Sequence, residues 1–412
     1  MEGKQTPPHP PESTSRTKPK SQGKLLMEIT AISGEYPAKN IHRLIPAPSY
    51  AKKVISTLVA DKQIKLVSTG GLKGYRLMLM GKRKLVAGNP ARFAGFLDGA
   101  VETNKMRTGY ERRLRLHSLA EVCTLMHGAG VEIFSDVKPR IFLLDTPNPL
   151  SQPHNEKPEG GKPPKVDNLA GHGNPTQHPP SPITSPCFYT SREQKGTDDN
   201  AIRGSRATGT LLTTTHVYAI YNTGSAESRW SEKTEQRYKA EMQDYICRKL
   251  LSHQYSGVPM NGIIVGDNLE TLEKYLAVKE KKQPGYNFLT KVYQSFYYIT
   301  NDNHGEIQLR LLCDDGKMAG LRNALLKGMR PPDNAYPIEH DALTEDGNPV
   351  LFCCLLNIPR LIRFRNGAAL HKKAGKIIAF DFQLEMLERY LGDTATFVSL
   401  SFDKLVRQFF HE

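Results

Sequence analysis

Lys73, Arg76, Lys82 and Arg83 fall within TGGLKGYRLMLMGKRKL (Thr69–Leu85), among four glycines and an alternating apolar run. Two kinds of chemistry use such a stretch. A glycine-rich loop can wrap the phosphate of a small ligand, or a basic β-hairpin can lie against the phosphates of a nucleic acid. The first requires the glycines to open a helix through Lys-Ser or Lys-Thr, and here they separate two alternating segments, IKLVS and YRLMLM. Glycine supplies the positive φ that tight hairpins need, so the stretch reads as a hairpin turn, with the basic run after Gly81 starting the next helix. The four cations are then candidate phosphate contacts.

The elements before the hairpin position it. KLLMEITAISG places Leu25, Ile29 and Ile32 at helical spacing and ends on Gly34, and AKNIHRLI makes a short second helix stopped by Pro46. PSYAKKVISTLVADKQI gives a third helix with Ser49 as N-cap, Ala51, Val54, Ile55 and Leu58 inward, and Lys52, Lys53 and Ser56 outward. Three helices followed by a two-stranded hairpin, over residues 25–88, is the order of a winged helix-turn-helix. In such modules the third helix fits the major groove while the hairpin meets the backbone. Ser49, Tyr50, Lys52, Lys53 and Ser56 form the expected groove face, while Lys73, Arg76, Lys82 and Arg83 form the expected phosphate contacts.

Charge distribution points to the same partner. Residues 1–144 carry 24 Lys and Arg against 11 Asp and Glu, whereas residues 145–412 carry 32 against 31. Nearly all of the net charge of +14 therefore sits in the first third, where a polyanion would bind by phosphate neutralisation and counterion release.

The segments GEYPAKNIHRLIPAPSYAKKVISTLVADKQI, GLKGYRLMLMGKRKL, RRLRLHSLAEVCTLMHGAGVEIF, TGTLLTTTHVYAIYNTG and IEHDALTEDGNPVL resemble a group of proteins carried by bacterial conjugative and integrative elements. The winged-helix half is similar to plasmid replication-relaxation proteins. The resemblance implies DNA work in a mobile element, in transcription regulation, replication or conjugation, with relaxosome or replication proteins as partners. It supplies no catalytic residue.

Residues 89–144 are expected to extend the first domain. Their helix YERRLRLHSLAEVCTLMHGAG turns Leu116, Leu119, Val122, Cys123 and Met126 inward, with Gly128 as its stop. Arg112, Arg113 and Arg115 near its start could continue the phosphate track. Residues 1–24 read as a disordered basic tail and 145–186, with eleven prolines in 42 residues, as a disordered linker. As a coil the linker would hold its flanks roughly 35 Å apart. The irregular spacing of its His154, His172 and His178 argues against a metal cluster.

Residues 187–412 alternate strands and helices, an α/β (α+β) domain with a mixed sheet, in which EIQLRLLC and PVLFCCLLNI read as strands. It is expected to dock a partner or a second copy of the chain. The alternative is a metal-dependent nuclease or nicking accessory, which needs converging carboxylates and a lysine. The segment HVYAIYNTGSAESRWSEKTEQ has a suitable order, yet no carboxylate lies in His216–Tyr221, and Glu227 and Arg229 fall outside that strand. Glu339, His340, Asp341, Glu345 and Asp346 crowd together, but TEDGNP is a turn signal that accounts for Asp346 and Gly347 without a metal. Asp267 and Asp381 follow buried β-runs, where α/β sheets gather ligands or cap helices.

No GxGxxG, GxxxxGK[ST], HExxH or GxSxG occurs, so no nucleotide cofactor, metal or catalytic residue is expected. The six cysteines lack a CxxC pair and read as reduced thiols of a cytoplasmic protein; adjacent Cys353 and Cys354 would face opposite sides of a strand. The N-terminal residues have no signal-peptide apolar core, and Val350–Ile358 is too short to span a bilayer, so no membrane partner is expected. The expectation is a non-enzymatic double-stranded DNA-binding protein.

Overall fold

The computed structural model describes residues 22–97, 109–142, 180–196, 204–224, 231–277 and 289–410. The tail to residue 21, most of the proline-rich stretch with its histidines, and Glu227 and Arg229 lie outside the described residues.

The chain begins with α1 (Gln22–Ser33), β1 (Tyr36–Pro37), a 3-10 turn over Ala38–Asn40, α2 (Ile41–Leu44) and α3 (Pro48–Ala60). β2 (Ile64–Thr69) and β3 (Leu72–Leu77) form the hairpin, and β3 also pairs with β1, giving the antiparallel order β1-β3-β2. Gly70 and Gly71 take φ of +58° and +79° at the turn, as the sequence requires. The second strand is as long as YRLMLM suggests but lies three residues earlier. It ends at Leu77 because the Met78 carbonyl already accepts the Lys82 amide, opening α4 (Leu79–Gly88). The α3 N-cap is Ala47, with Pro48 at the first helical position; Ser49 lies one residue inside and caps nothing. The inward stripe is as expected, with Ala51 and Leu58 buried and Val54 and Ile55 half-buried.

After α5 (Pro90–Leu97), α6 (Tyr110–Gly128) occupies the centre of the molecule. Its sequence reads as amphipathic, but Leu116 to Met126 are buried on nearly every side. α1 covers one side and the five-stranded sheet the other. A single core joins Leu26, Ile29 and Ile32 to Leu119, Val122 and Met126, and these to Phe188, Leu211, Tyr218, Ile220, Ile263 and Val265. The halves on either side of the proline-rich stretch are therefore packed together rather than held apart. The end of that stretch is itself built in: Ile183 is buried, and the Pro186 carbonyl accepts the Glu132 amide.

The rest of the chain is mixed α/β. β4 (Cys187–Thr190), β5 (Ala207–Leu212) and β6 (Val217–Gly224) are antiparallel. β7 (Met260–Gly266) and β8 (Phe296–Thr300) continue the sheet in parallel to β6, in the order β4-β5-β6-β7-β8. α7 (Glu232–Gln243), which runs on as a π-helical stretch over Asp244–Leu250, follows β6, and α8 (Leu269–Ala277) follows β7. Alternate residues face two cores. Tyr218 and Ile220 look toward α6, while Val217, Ala219 and Tyr221 look toward Tyr238 and Met242 of α7.

A second sheet, β12-β11-β10-β9, is built from β9 (Ala342–Leu343), β10 (Pro349–Phe352), β11 (Gly375–Phe380) and β12 (Ala395–Leu400), so two sheets stand where one was expected. β10, β11 and β12 are parallel, connected through α11 (Ile358–His371) and α12 (Leu384–Leu391), and α13 (Phe402–Phe410) closes the chain. EIQLRLLC is a helix, not a strand: it lies in α9 (Asn303–Leu312), opened by Asp302, whose side chain accepts the Gly305 amide. Ile307, Gln308, Leu309, Leu311 and Leu312 are all buried, because the helix is wedged between cores, and this hides the helical period. α10 (Asp315–Leu325) follows. PVLFCCLLNI keeps a strand only to Phe352, after which the chain turns through Leu356 at φ +47°. Among the described residues no helix is long and apolar enough to cross a membrane.

Candidate nucleic-acid interface

α3 is held at its ends and along one stripe, which leaves the opposite face open. Ser49, Lys52, Lys53 and Ser56 are exposed and Tyr50 is 47% exposed, so the five residues expected to read a groove do share one outer surface. Helical spacing brings this about, since Ser49, Lys53 and Ser56 fall at i, i+4 and i+7. An open groove of about 360 Å³ runs between α2 and α3, with Ile41, Ile45, Ala51, Lys52 and Ile55 along it and Tyr75 of β3 beside them. Helix and hairpin thus form one continuous surface.

On the hairpin, Ser68 pairs with Lys73 and Leu66 with Tyr75, so Lys73 stands on the same side of the ribbon as Tyr75. Lys73 is exposed near the turn; Lys82 and Arg83 lie on α4, at the opposite end of the ribbon. Lys84, which sequence reasoning left out, is exposed there too and donates to Gln63 Oε1 at 3.2 Å, just beyond α3. No carboxylate among the described residues pairs with Lys52, Lys53, Lys73, Arg83, Arg112 or Arg115. These cations remain available to an anion from outside.

Two of the expected phosphate contacts are not available. Arg76 and Arg113 are 6% and 1% exposed, enclosed beneath the hairpin with Glu35, which is fully buried. Arg76 Nε lies 2.7 Å from Glu35 Oε2, and Arg113 Nη2 lies 2.5 Å from Oε1. His117 Nε2 donates to Oε1 at 2.8 Å. Arg113 Nη2 also donates to the carbonyls of Val67 at 3.0 Å and Leu72 at 3.1 Å. Burial alone would raise the Glu35 pKa; the hydrogen bonds from His117, Arg113 and Arg76 outweigh it and hold it at about 2. Two arginines were expected outside because sequence alone does not show which face a strand or helix buries. Glu35, whose charge draws them in, carried no signal in GEYP.

Arg112 and Arg115 are exposed on the first turns of α6. Arg113 ties that end of α6 to both strands of the hairpin near its turn, which puts the two exposed arginines beside the basic ribbon.

The same helix carries the position of α3 into the rest of the fold. Glu121 accepts from Asn40 Nδ2 at 2.8 Å, ahead of α2, and from Asn222 Nδ2 of β6 at 3.0 Å. Arg43 of α2 donates to Asn301 Oδ1 at 2.7 Å and pairs with Glu306 of α9.

Three of the carboxylates considered for metal chemistry, Glu339, Asp341 and Asp381, are otherwise engaged. Glu339 bonds Arg360 Nε at 2.7 Å and Arg363 Nε at 2.8 Å. Asp341 is buried, bonds Arg322 at 2.6 Å and accepts the Phe352 amide at 2.8 Å. His340 Nε2 accepts the Asp333 amide at 3.0 Å, and the Thr344–Asn348 backbone bond closes the expected turn around Asp346. Asp381 accepts the Phe382 amide at 2.9 Å. Asp267 directly follows β7, where its backbone amide, not its carboxylate, bonds the Gly224 carbonyl at 3.1 Å. Among the described residues no three His, Cys, Asp or Glu side chains gather in a group that could hold a metal ion. No protein-family model, curated protein or solved structure matches this chain.

Proposed function

We propose that this chain binds double-stranded DNA, with α3 in the major groove and the β2–β3 hairpin and the start of α6 along the phosphates. The observation that carries the proposal is the exposed, unpaired set Lys52, Lys53, Lys73, Arg83, Arg112 and Arg115 in the first third of a chain whose remaining two-thirds is nearly neutral. The order α1-β1-α2-α3-β2-β3, with the hairpin returning onto β1, supports a winged helix-turn-helix reading. The role is binding without catalysis, in regulation or as an accessory of replication or conjugative transfer of a mobile element. The resemblance to replication-relaxation proteins supports that setting. Ser49, Tyr50 and Ser56 offer hydroxyl groups to base edges, while the cations meet backbone.

Fluorescence anisotropy with duplex DNA from such an element tests this. Six phosphate contacts predict that log K falls with log salt at a slope near −5, by about −0.9 for each contact. Changing Lys52 and Lys53 together to Gln should cut affinity ~10-fold or more and make the slope shallower by about 2. No binding at low salt, or binding indifferent to the double change, refutes the proposal.

A further inference from the structure

Among the described residues, most sheet edges carry an identifiable device that closes or shortens them. β4 is bordered by Glu132, whose amide donates to the Pro186 carbonyl while its carbonyl accepts the Phe188 amide. β8 is bordered by Leu356, which accepts the Tyr298 amide, and β9 by Arg330, which exchanges both backbone bonds with Leu343. β1 is two residues long and ends in Pro37, and β2 has its Val67 carbonyl taken by Arg113. β12 differs. It pairs with β11 in unbroken parallel register over six residues, and no described backbone group bonds its other side.

The strand reads ATFVSL, with no charge, no proline and no bulge, the features by which proteins blunt an exposed edge. Thr396 and Ser399 are exposed and the other four residues half-buried. A regular, uncharged edge of this length is a template for another strand.

We propose that β12 pairs antiparallel with β12 of a second copy of this chain, across a twofold axis normal to the sheet, joining two four-stranded sheets into one. The strand is self-complementary in that arrangement. With the axis at Phe397, Phe397 faces Phe397 of the second copy, Thr396 faces Val398 and Ala395 faces Ser399. Aromatic pairs and pairs of branched side chains are the cross-strand combinations that stabilise sheets, and no like charges meet. The association also takes place through the part of the chain from residue 145 onward, whose 32 cations and 31 acids nearly balance, so no large net charge opposes it. A dimer follows whether or not DNA is bound.

Sedimentation equilibrium of the full chain, without DNA, from about 1 to about 100 µM tests this. A monomer–dimer equilibrium is expected, with the dissociation constant raised ~10-fold or more in the double variant Thr396→Lys/Ser399→Lys. A wild type monomeric throughout, or a lysine variant that dimerises unchanged, overturns the proposal. Amide exchange of the unaltered chain supplies a reading independent of variant folding. Amides within 395–400 should slow as concentration rises, and exchange that ignores concentration also overturns it.

Discussion

Glu35 and Gly74 touch so closely that the absence of a side chain at Gly74 is what lets the carboxylate enter. A β-carbon built on Gly74 would come within 2.5 Å of His117 Nε2 and closer still to Glu35 Oε1. The glycine within the hairpin strand therefore serves the ion cluster beneath it and not the turn. Gly74→Ala is expected to destabilise the fold by ~1–3 kcal/mol by displacing the carboxylate or the strand, read as a lower urea midpoint. An alanine variant as stable as the parent would contradict this packing.

The two kinds of arginine and lysine should separate cleanly on mutation. Arg113→Ala leaves the Glu35 charge buried with fewer partners and is expected to cost ~3–5 kcal/mol of stability, whereas Lys53→Ala should stay within ~0.5 kcal/mol of the parent. DNA affinity should show the reverse order once both proteins are measured at a temperature where they are folded. Equal stability losses would mean that Arg113 is not the buried anchor.

Acid should loosen the hairpin through Glu35. Its folded pKa of about 2 lies below the ordinary carboxylate value, so the unfolded chain takes up the proton first. The stability from this group is present in full above the unfolded pKa of ~4.3 and is lost as pH falls toward 2. Melting temperatures between pH 6 and pH 2 should therefore fall with a component that Glu35→Gln lacks. A variant with the parent's acid profile would remove Glu35 as its source.

Because α6 is buried between α1 and the five-stranded sheet, the two halves of the chain should unfold together. Near-ultraviolet and far-ultraviolet signals of the full chain are expected to share one thermal transition. Residues 1–144 alone would expose Leu119, Val122 and Met126 of α6, and should be poorly soluble or bind a hydrophobic dye. Asn222→Ala, which removes one of the bonds to buried Glu121, is expected to cost ~1–2 kcal/mol. A soluble fragment with a cooperative melt equal to that of the whole chain would show that the halves are independent.

Local signals in the sequence were enough for the glycine turn, the three helices before it, the outward face of α3 and the β-α-β unit at the C-terminal end. Periodicity, proline stops and turn glycines act over a few residues, and nothing distant overrides them there. The concentration of positive charge in the first third is likewise a property of the sequence. Tertiary structure decided which of those charges face outward. Arg76 and Arg113 look no different from Lys73 and Arg112 along the chain, and only the arrival of Glu35, 41 and 78 residues away, turns two of them into a buried anchor. It also decided that α6 and α9, which pack on more than one side, would not show the one-sided pattern of a surface helix. Burial on several faces at once is set by long-range contacts, and those leave no period in the sequence to read.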